Sequence, residues 1–423
     1  MRTDPIPTRD GSRQPRESAG PRVGRRGFLL GLSATVALGS ARLALAQAPG
    51  ERRFVVVLLR GALDGLGAVP AYGDPDFAAL RGPLALPEPG QEGGALDLGG
   101  RFGLHPRLRT LHALYQEGEA LVLHAVAGPY RSRSHFEAQD LLEAGLADRR
   151  LASGWLNRAL AAMPSPSPRG GAGEGIGLAV GTGVPLLLRG PAAVRSYAPQ
   201  GLAQPETDLL ARIAALSARD PLLGPAVAEG LRDRGFTAAV LAGQQAAMGG
   251  RGGAGQNAFP ALAGAAGRLL AAADGPRVAA LELGGWDTHA GQVGRLVQPL
   301  GALDDGIAAL REGLGEHWRR TAVLVITEFG RTVRVNGTLG TDHGTAGAAF
   351  VLGGAVAGGA VRTTWPGLAE RQLFQGRDLA PTTDLRAVAK GLLRDHLRLS
   401  AGALAQAFPG SEAVTPMSGL VRS

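Results

Sequence analysis

Two stretches carry side chains whose types and spacing suit metal chemistry. Thr327-Glu-Phe-Gly-Arg331 is followed, after a short loop, by Gly340-Thr-Asp-His-Gly344. Upstream, Gly284-Gly-Trp-Asp-Thr-His289 supplies a second acid and imidazole, two positions apart. Carboxylate oxygens and imidazole nitrogens are ligands for divalent ions, and flanking glycines free the backbone that must present them. The candidate metal ligands are therefore Asp287, His289, Glu328, Asp342 and His343. Asp64, in Arg60-Gly-Ala-Leu-Asp-Gly-Leu66, is a further contributor. Asp287 and His289 serve either one ion or a bridged pair.

The elements that must position these groups are short apolar runs. Phe54–Leu59, Arg277–Leu283 and Ala322–Ile326 read as buried strands, and each runs directly into one of the candidate stretches. Open α/β sheets bind ligands at the carboxyl edge of their strands, which is where these residues fall. The first strand is expected near the middle of the sheet. Asp64 also suits the cap of the next helix. Strands at Leu121–Val126 and Ala348–Leu352 alternate with helices expected over His105–Leu114, 260–274, 290–318 and Thr383–Leu393. That order predicts an α/β fold with a doubly wound sheet and helices on both faces.

A third candidate stretch is Tyr130-Arg-Ser-Arg-Ser-His-Phe, which follows a strand and opens a helix. A hydroxyl at a helix N-terminus gains from unpaired amides that favour negative charge. Ser134 is a nucleophile or metal-facing hydroxyl on this reading, and a plain helix cap on the other. His135 lies beside it; Arg131 and Arg133 are the candidate holders of anionic oxygens, with Arg133 or Arg331 to stabilise charge developing in catalysis. Four other histidines read as structural: His112 on a helix, His124 hydrogen-bonded in the core, His317 and His396 on the surface.

The middle of the chain carries no chemical motif. Ile176–Val180 and Pro185–Arg189 read as short strands, and residues 206–242 as amphipathic helix. The block around 155–260 is expected to be a cap-like insert over the sheet edge. Its glycine-rich loops lack the strand, Gly-Lys-Ser/Thr and helix arrangement of a phosphate loop.

Composition narrows the classes. The chain has 423 residues, 45% hydrophobic and 19% charged, which suits one large globular domain. Most of the formal charge of +8 sits in residues 1–46, where eight Arg face three acids. With no basic run interleaved with aromatics elsewhere, nucleic acid is not expected as a partner. The cysteine count of zero excludes disulfides, thiol nucleophiles and cysteine–zinc sites.

Residues 1–24 are rich in Pro, Arg and Ser, as in disordered segments. Arg25-Arg26 then precede an interrupted apolar run that ends at Ala44-Leu-Ala46. This is a twin-arginine signal pattern with a small-residue cleavage site. It predicts a signal peptide over 1–48, the twin-arginine translocase as export partner, and a periplasmic or secreted protein over 51–423. The apolar run is too polar for a stable membrane span.

Taken in order, the twin arginines, Arg60–Gly65, Ser134-His-Phe, Gly285–His289, Thr327–Arg331, Asp342-His-Gly344 and Thr383–Arg386 resemble the exported bacterial proteins of the DUF1501 family. The resemblance runs nearly end to end. That family is similar in turn to the alkaline phosphatase/sulfatase superfamily. The resemblance implies a three-layer sandwich about a central, mostly parallel sheet. It also implies two divalent ions, with Zn, Ca, Mn and Mg all open. Asp64 matches the first-strand ligand, Ser134 the nucleophile position, and Asp287 with His289 the Asp/His pair of one site. The gap between that pair is narrower than the superfamily's. Glu328 takes the place of a strand-end Asp, and His343 that of the last His ligand, on the same or different ions. The implied function is an exported hydrolase of phosphate or sulfate esters, acting on a small molecule or a polymer. With no cysteine, and with Ser165-Pro-Ser-Pro-Arg169 out of pattern, a formylglycine sulfatase is disfavoured. The alternative is a non-catalytic binding or assembly protein on a degenerate version of the same fold.

Overall fold

The computed structural model describes residues 51–148, 151–163, 177–181, 183–198, 207–218, scattered positions between 220 and 241, and 258–422. The expected signal peptide over 1–48 lies outside the described residues. The strands are β1 (Arg53–Leu59), β2 (Leu96–Asp97), β3 (Gly103–Leu104), β4 (Ala120–Ala127), β5 (Gly177–Val180), β6 (Val194–Tyr197), β7 (Val278–Leu283), β8 (Thr321–Thr327), β9 (Gly347–Leu352), β10 (Ala360–Arg362) and β11 (Thr383–Asp384). The helices are α1 (Gly65–Ala68), α2 (Phe77–Arg81), α3 (Arg109–Gln116), α4 (His135–Ala144), α5 (Trp155–Ala161), α6 (Thr207–Ser217), α7 (Phe259–Ala271), α8 (Gln292–Leu314), α9 (Leu385–Asp395) and α10 (Ala401–Ala407). Among the described residues, no helix is long and apolar enough to cross a membrane.

The main sheet runs β10-β4-β9-β8-β1-β7-β5-β6, with β11 joined to β4. Its pairings are parallel except those of β9, which is antiparallel to both β4 and β8. β1 is central, as expected, and all seven of its residues are buried. Its side chains alternate between two cores. Val55, Val57 and Leu59 face the layer that holds α3, α7 and α8. Phe54, Val56 and Leu58 face the layer that holds α5, α9 and α10. Burial on both faces is what a parallel strand between two helical layers requires, and it explains the unbroken apolar run. The expected three-layer α/β architecture is what the chain adopts.

Three departures from expectation concern the ends of this frame. The stretch over 155–260 is not only a cap, because β5 and β6 extend the main sheet beyond β7. Pro185–Arg189 is not a strand: Leu186–Leu188 form a 3-10 turn, and the second strand follows at Val194–Tyr197. His396 is not on the surface. It is 2% exposed, and its Nε2 hydrogen-bonds the carbonyl of Arg53 at 2.8 Å. It ends α9 against the start of β1, so the helix terminus is docked rather than solvated.

The register brings the candidate stretches together. Leu59 pairs with both Leu283 and Thr327, so β1, β7 and β8 end flush at one edge of the sheet. β4 runs the same way and leads into α4 there, while β9 starts at that edge. Five segments far apart in sequence therefore converge on a single edge.

Candidate metal centre

Three imidazoles and one carboxylate meet at this edge. His343 Nε2 lies 2.9 Å from His135 Nε2 and 2.9 Å from His289 Nε2. Asp287 Oδ1 lies 3.0 Å from His289 Nε2, 3.3 Å from His343 Nε2 and 3.6 Å from His135 Nε2. Ligand atoms of His135, Asp287 and His343 all fall within 4.8 Å of one another.

The opposite ring nitrogen of each histidine is tied down. His135 Nδ1 donates to Glu328 Oε1 at 2.7 Å. His343 Nδ1 donates to the Arg133 carbonyl at 2.8 Å. His289 Nδ1 faces Asp342 Oδ1 at 3.3 Å. A proton held on Nδ1 leaves the Nε2 lone pair free, which is the tautomer a metal-binding histidine needs. The Nε2 atoms of His135 and His289 each lie within hydrogen-bond distance of His343 Nε2, with Asp287 Oδ1 alongside, a grouping that a shared proton or a divalent ion can bridge. The donor set of two nitrogens and one oxygen, with His289 alongside, suits Zn or another transition metal. It does not suit Ca or Mg, which take oxygen ligands. The residues present therefore fit a divalent ion.

Charge in the surroundings is arranged to the same end. Burial alone would raise the Asp287 carboxyl, but the buried Arg331 guanidinium bonded to it holds it below the usual carboxylate range. Burial likewise works against the Glu328 carboxylate, yet hydrogen bonds from His135 and from Gln139 Nε2, the latter at 3.0 Å, keep it ionised and lowered. The hydrogen bond to Glu328 raises His135, whereas burial lowers His343. The Asn336 amide, 3.0 Å away, lowers Asp342. The cluster is open on one side. The Asp287, His289 and Asp342 side chains are 49%, 43% and 58% exposed, against 1% for Glu328.

The loops can approach this closely because two positions are glycine. A Cβ on Gly340 would stand 2.3 Å from the backbone carbonyl of His289. Gly61, at φ +118°, packs against the backbone of Asp287 and donates its N–H to Glu328 Oε1 at 2.9 Å.

Of the expected ligands, the structure brings Asp287, His289 and His343 together. Glu328 and Asp342 stand behind histidines as hydrogen-bond partners. Asp64 is not brought to the cluster. It caps α1 through Leu66 N at 3.2 Å and forms an ion pair with Arg81, both side chains being buried. His135, expected beside a nucleophile, instead presents a ligand atom. Ser134 is the N-cap residue of α4, and its hydroxyl makes no capping bond.

Arg133 and Arg331 are both engaged within the protein, Arg331 through Nε, Nη1 and Nη2 and Arg133 through Nε and Nη2. Arg331 is fully buried and donates to the carbonyls of Gly61, Ala62 and Thr341 at 2.7, 2.9 and 2.9 Å, as well as to Asp287. Arg133 is bound to Asp378 at 2.6 Å and Gln375 at 2.9 Å. Both arginines hold loops, because carbonyls and acids from other segments reach them first. Gln292 and Gln139 were not legible as site residues. The one available signal was a polar residue in the first turns of helices that follow His289 and Ser134.

Fold and site together define a three-layer α/β protein with a candidate transition-metal centre at the carboxyl edge of its sheet. The chain belongs to the DUF1501 family, described as proteins of unknown function, whose model matches residues 120–407. No curated protein sequence matches it. Solved structures similar to it include Ps i-CgsB in complex with k-i-k-neocarrahexaose. That likeness has 8% identity, covers 83% of this chain and 73% of that one, and has a TM-score of 0.39. The C-terminal periplasmic domain of EcEptC from Escherichia coli, in complex with Zn, has 11% identity over 72% and 73% of the two chains, TM-score 0.28. The phosphonate monoester hydrolase of Agrobacterium radiobacter has 14% identity over 82% and 74%, TM-score 0.33.

Proposed function

We propose that this chain is an exported metal-dependent hydrolase of phosphate or sulfate esters. The observation that carries the reading is the convergence of the His135, His289 and His343 Nε2 atoms on Asp287 Oδ1, each ring fixed from behind. His135, Asp287 and His343 hold one divalent ion, and His289 is its fourth donor from the exposed side. A bound ion of this kind supplies Lewis acidity and lowers the pKa of a hydroxyl or water beside it. The ester class comes from the resemblance of the motifs to the alkaline phosphatase/sulfatase superfamily. The geometry supports one ion rather than two, since Asp64 is spent on Arg81 and Glu328 on His135.

The residues around the ion have separate tasks. Ser134 opens α4 next to His135, where the helix amides favour a developing alkoxide or an ester oxyanion. Glu328 and the Arg133 carbonyl keep two imidazoles in the tautomer that leaves Nε2 unprotonated. Arg331 orients Asp287 and holds it ionised. The exposed flank at Asp287 and Asp342 is the side from which substrate enters.

One observation favours the alternative, a non-catalytic binding protein on the same fold. Arg331 is buried among carbonyls and Asp287, and Arg133 is paired with Asp378, so much of the positive charge at the site is already compensated. A panel of phosphomonoester, phosphodiester and sulfate ester substrates on the Zn- or Mn-loaded protein separates the two readings. Turnover that disappears with chelator and in Asp287→Ala and His343→Ala supports the hydrolase. Bound metal with no turnover on any ester class supports the binding protein.

A further inference from the structure

Gln292, the first residue of α8, is 2% exposed and sits directly behind both ligand loops. Its Oε1 accepts from Thr288 Oγ1 at 2.9 Å and from Thr341 Oγ1 at 2.6 Å. Its Nε2 donates to Asp64 Oδ2. The chemistry of the partners fixes this orientation of the amide, because a carboxylate only accepts while both hydroxyls can donate. Thr288 lies between Asp287 and His289, and Thr341 two residues before His343. The loops are also joined by a backbone bond, Thr341 N to Thr288 O at 3.2 Å. Asp64 is anchored in turn by Arg81, whose Nη1 reaches the carbonyls of Thr332 and Val333 at 3.4 and 3.2 Å.

One buried amide thus ties two loops from different strand ends to a neutralised carboxylate at a third. We propose that Asp64, Gln292, Thr288 and Thr341 form a positioning device. It sets the distance between the Asp287/His289 pair and His343, and so tunes divalent-ion affinity without touching the ion. The inference rests on the metal centre proposed above. It also gives Asp64 a role: the residue acts on the ion through Gln292 rather than as a ligand. Hydrogen-bond partners behind metal ligands affect affinity by about 10- to 100-fold when removed. Thr→Val keeps shape and deletes only the hydroxyl, so it isolates the network from packing.

The test is calorimetric titration of the full chain, stripped of metal by chelator, with Zn2+ and separately Mn2+. Thermal unfolding of the metal-free protein is followed in parallel. Thr288→Val and Thr341→Val are each expected to weaken binding by less than the roughly tenfold typical of a direct ligand partner, and the double variant further. Thr288→Ser is expected to restore it. Gln292→Glu keeps the Oε1 acceptor but sets a second buried carboxylate against Asp64 Oδ2, and is expected to lose more than either threonine variant. Metal-free melting temperatures should move little in the single threonine variants. Wild-type affinity in the double variant overturns the inference, as does a loss that only tracks lowered metal-free stability. If the wild type takes up neither ion, the metal centre itself is wrong and this inference falls with it. If the wild type binds metal but hydrolyses no ester, only the hydrolase reading fails, and the affinities still decide the positioning role.

Discussion

Glu328 Oε1 accepts the Nδ1 proton of His135 at 2.7 Å, across 193 residues of sequence. The same oxygen takes hydrogen bonds from Gly61 N at 2.9 Å and Gln139 Nε2 at 3.0 Å. A buried strand-end acid is thereby used to aim an imidazole. Glu328→Ala should leave His135 free to rotate and weaken Zn2+ binding by about 10- to 100-fold. Glu328→Gln, whose amide oxygen still accepts from Nδ1, should lose less. Metal titration of the two variants side by side checks this.

Close approach of the ligand loops depends on Gly340. A Cβ there meets the His289 backbone at 2.3 Å, whereas one on Gly337 has nothing within 4 Å. Gly340→Ala should cost about 1–3 kcal/mol through forced backbone shifts, with reduced metal uptake. Gly337→Ala should be near neutral. Denaturant unfolding and metal content of the two variants provide the comparison.

Asp64 and Arg81 form a buried ion pair with side chains 1% and 0% exposed. Breaking such a pair from one side leaves an uncompensated charge and costs about 3–5 kcal/mol. Asp64→Asn is therefore expected to be more destabilising than Asp64→Asn combined with Arg81→Met. Equilibrium unfolding of the single and double variants reads this directly. A single variant as stable as the double one contradicts the pairing.

Three histidines away from the site set an acid limit. Burial, foremost, pushes His105, His124 and His396 down to about 4 from the ordinary imidazole value of 6.5. The fold holds them neutral, and the unfolded chain binds more protons. Stability is thus intact above about pH 6.5 and falls as pH drops towards 4, by up to roughly 3 kcal/mol for each group. His396→Gln, which keeps a donor for the Arg53 carbonyl, should flatten that slope. Unfolding free energies measured from pH 7 to pH 4 check the sign.

Much of the frame was legible because its signals are local. Phe54–Leu59 and Ala322–Ile326 are apolar throughout, as strands buried on both faces must be. Asp287, His289 and His343 were legible because each follows a strand exit rich in glycine. What escaped depends on partners distant in sequence. Asp64 ends a strand in the same way as Asp287, but Arg81 and Gln292 occupy its oxygens. Arg331 follows the strand-end acid, yet carbonyls from two other loops consume its donors. His135 carried no mark that set it beside the candidate metal-binding groups, since its orientation depends on the distant Glu328. His396 lies at a helix end, where solvent is the default, and only the docking of α9 on β1 buries it.

In the metal centre proposed above, His135, Asp287, His289 and His343 hold one transition-metal ion. Anomalous X-ray diffraction from crystals of the protein loaded with Zn2+, with metal content measured on the same preparation, tests it most directly. One ion per chain is expected, bonded to the three Nε2 atoms and Asp287 Oδ1, with Glu328 and Asp342 behind the rings. No bound metal, or an ion ligated by Asp64 or Glu328 instead, contradicts it.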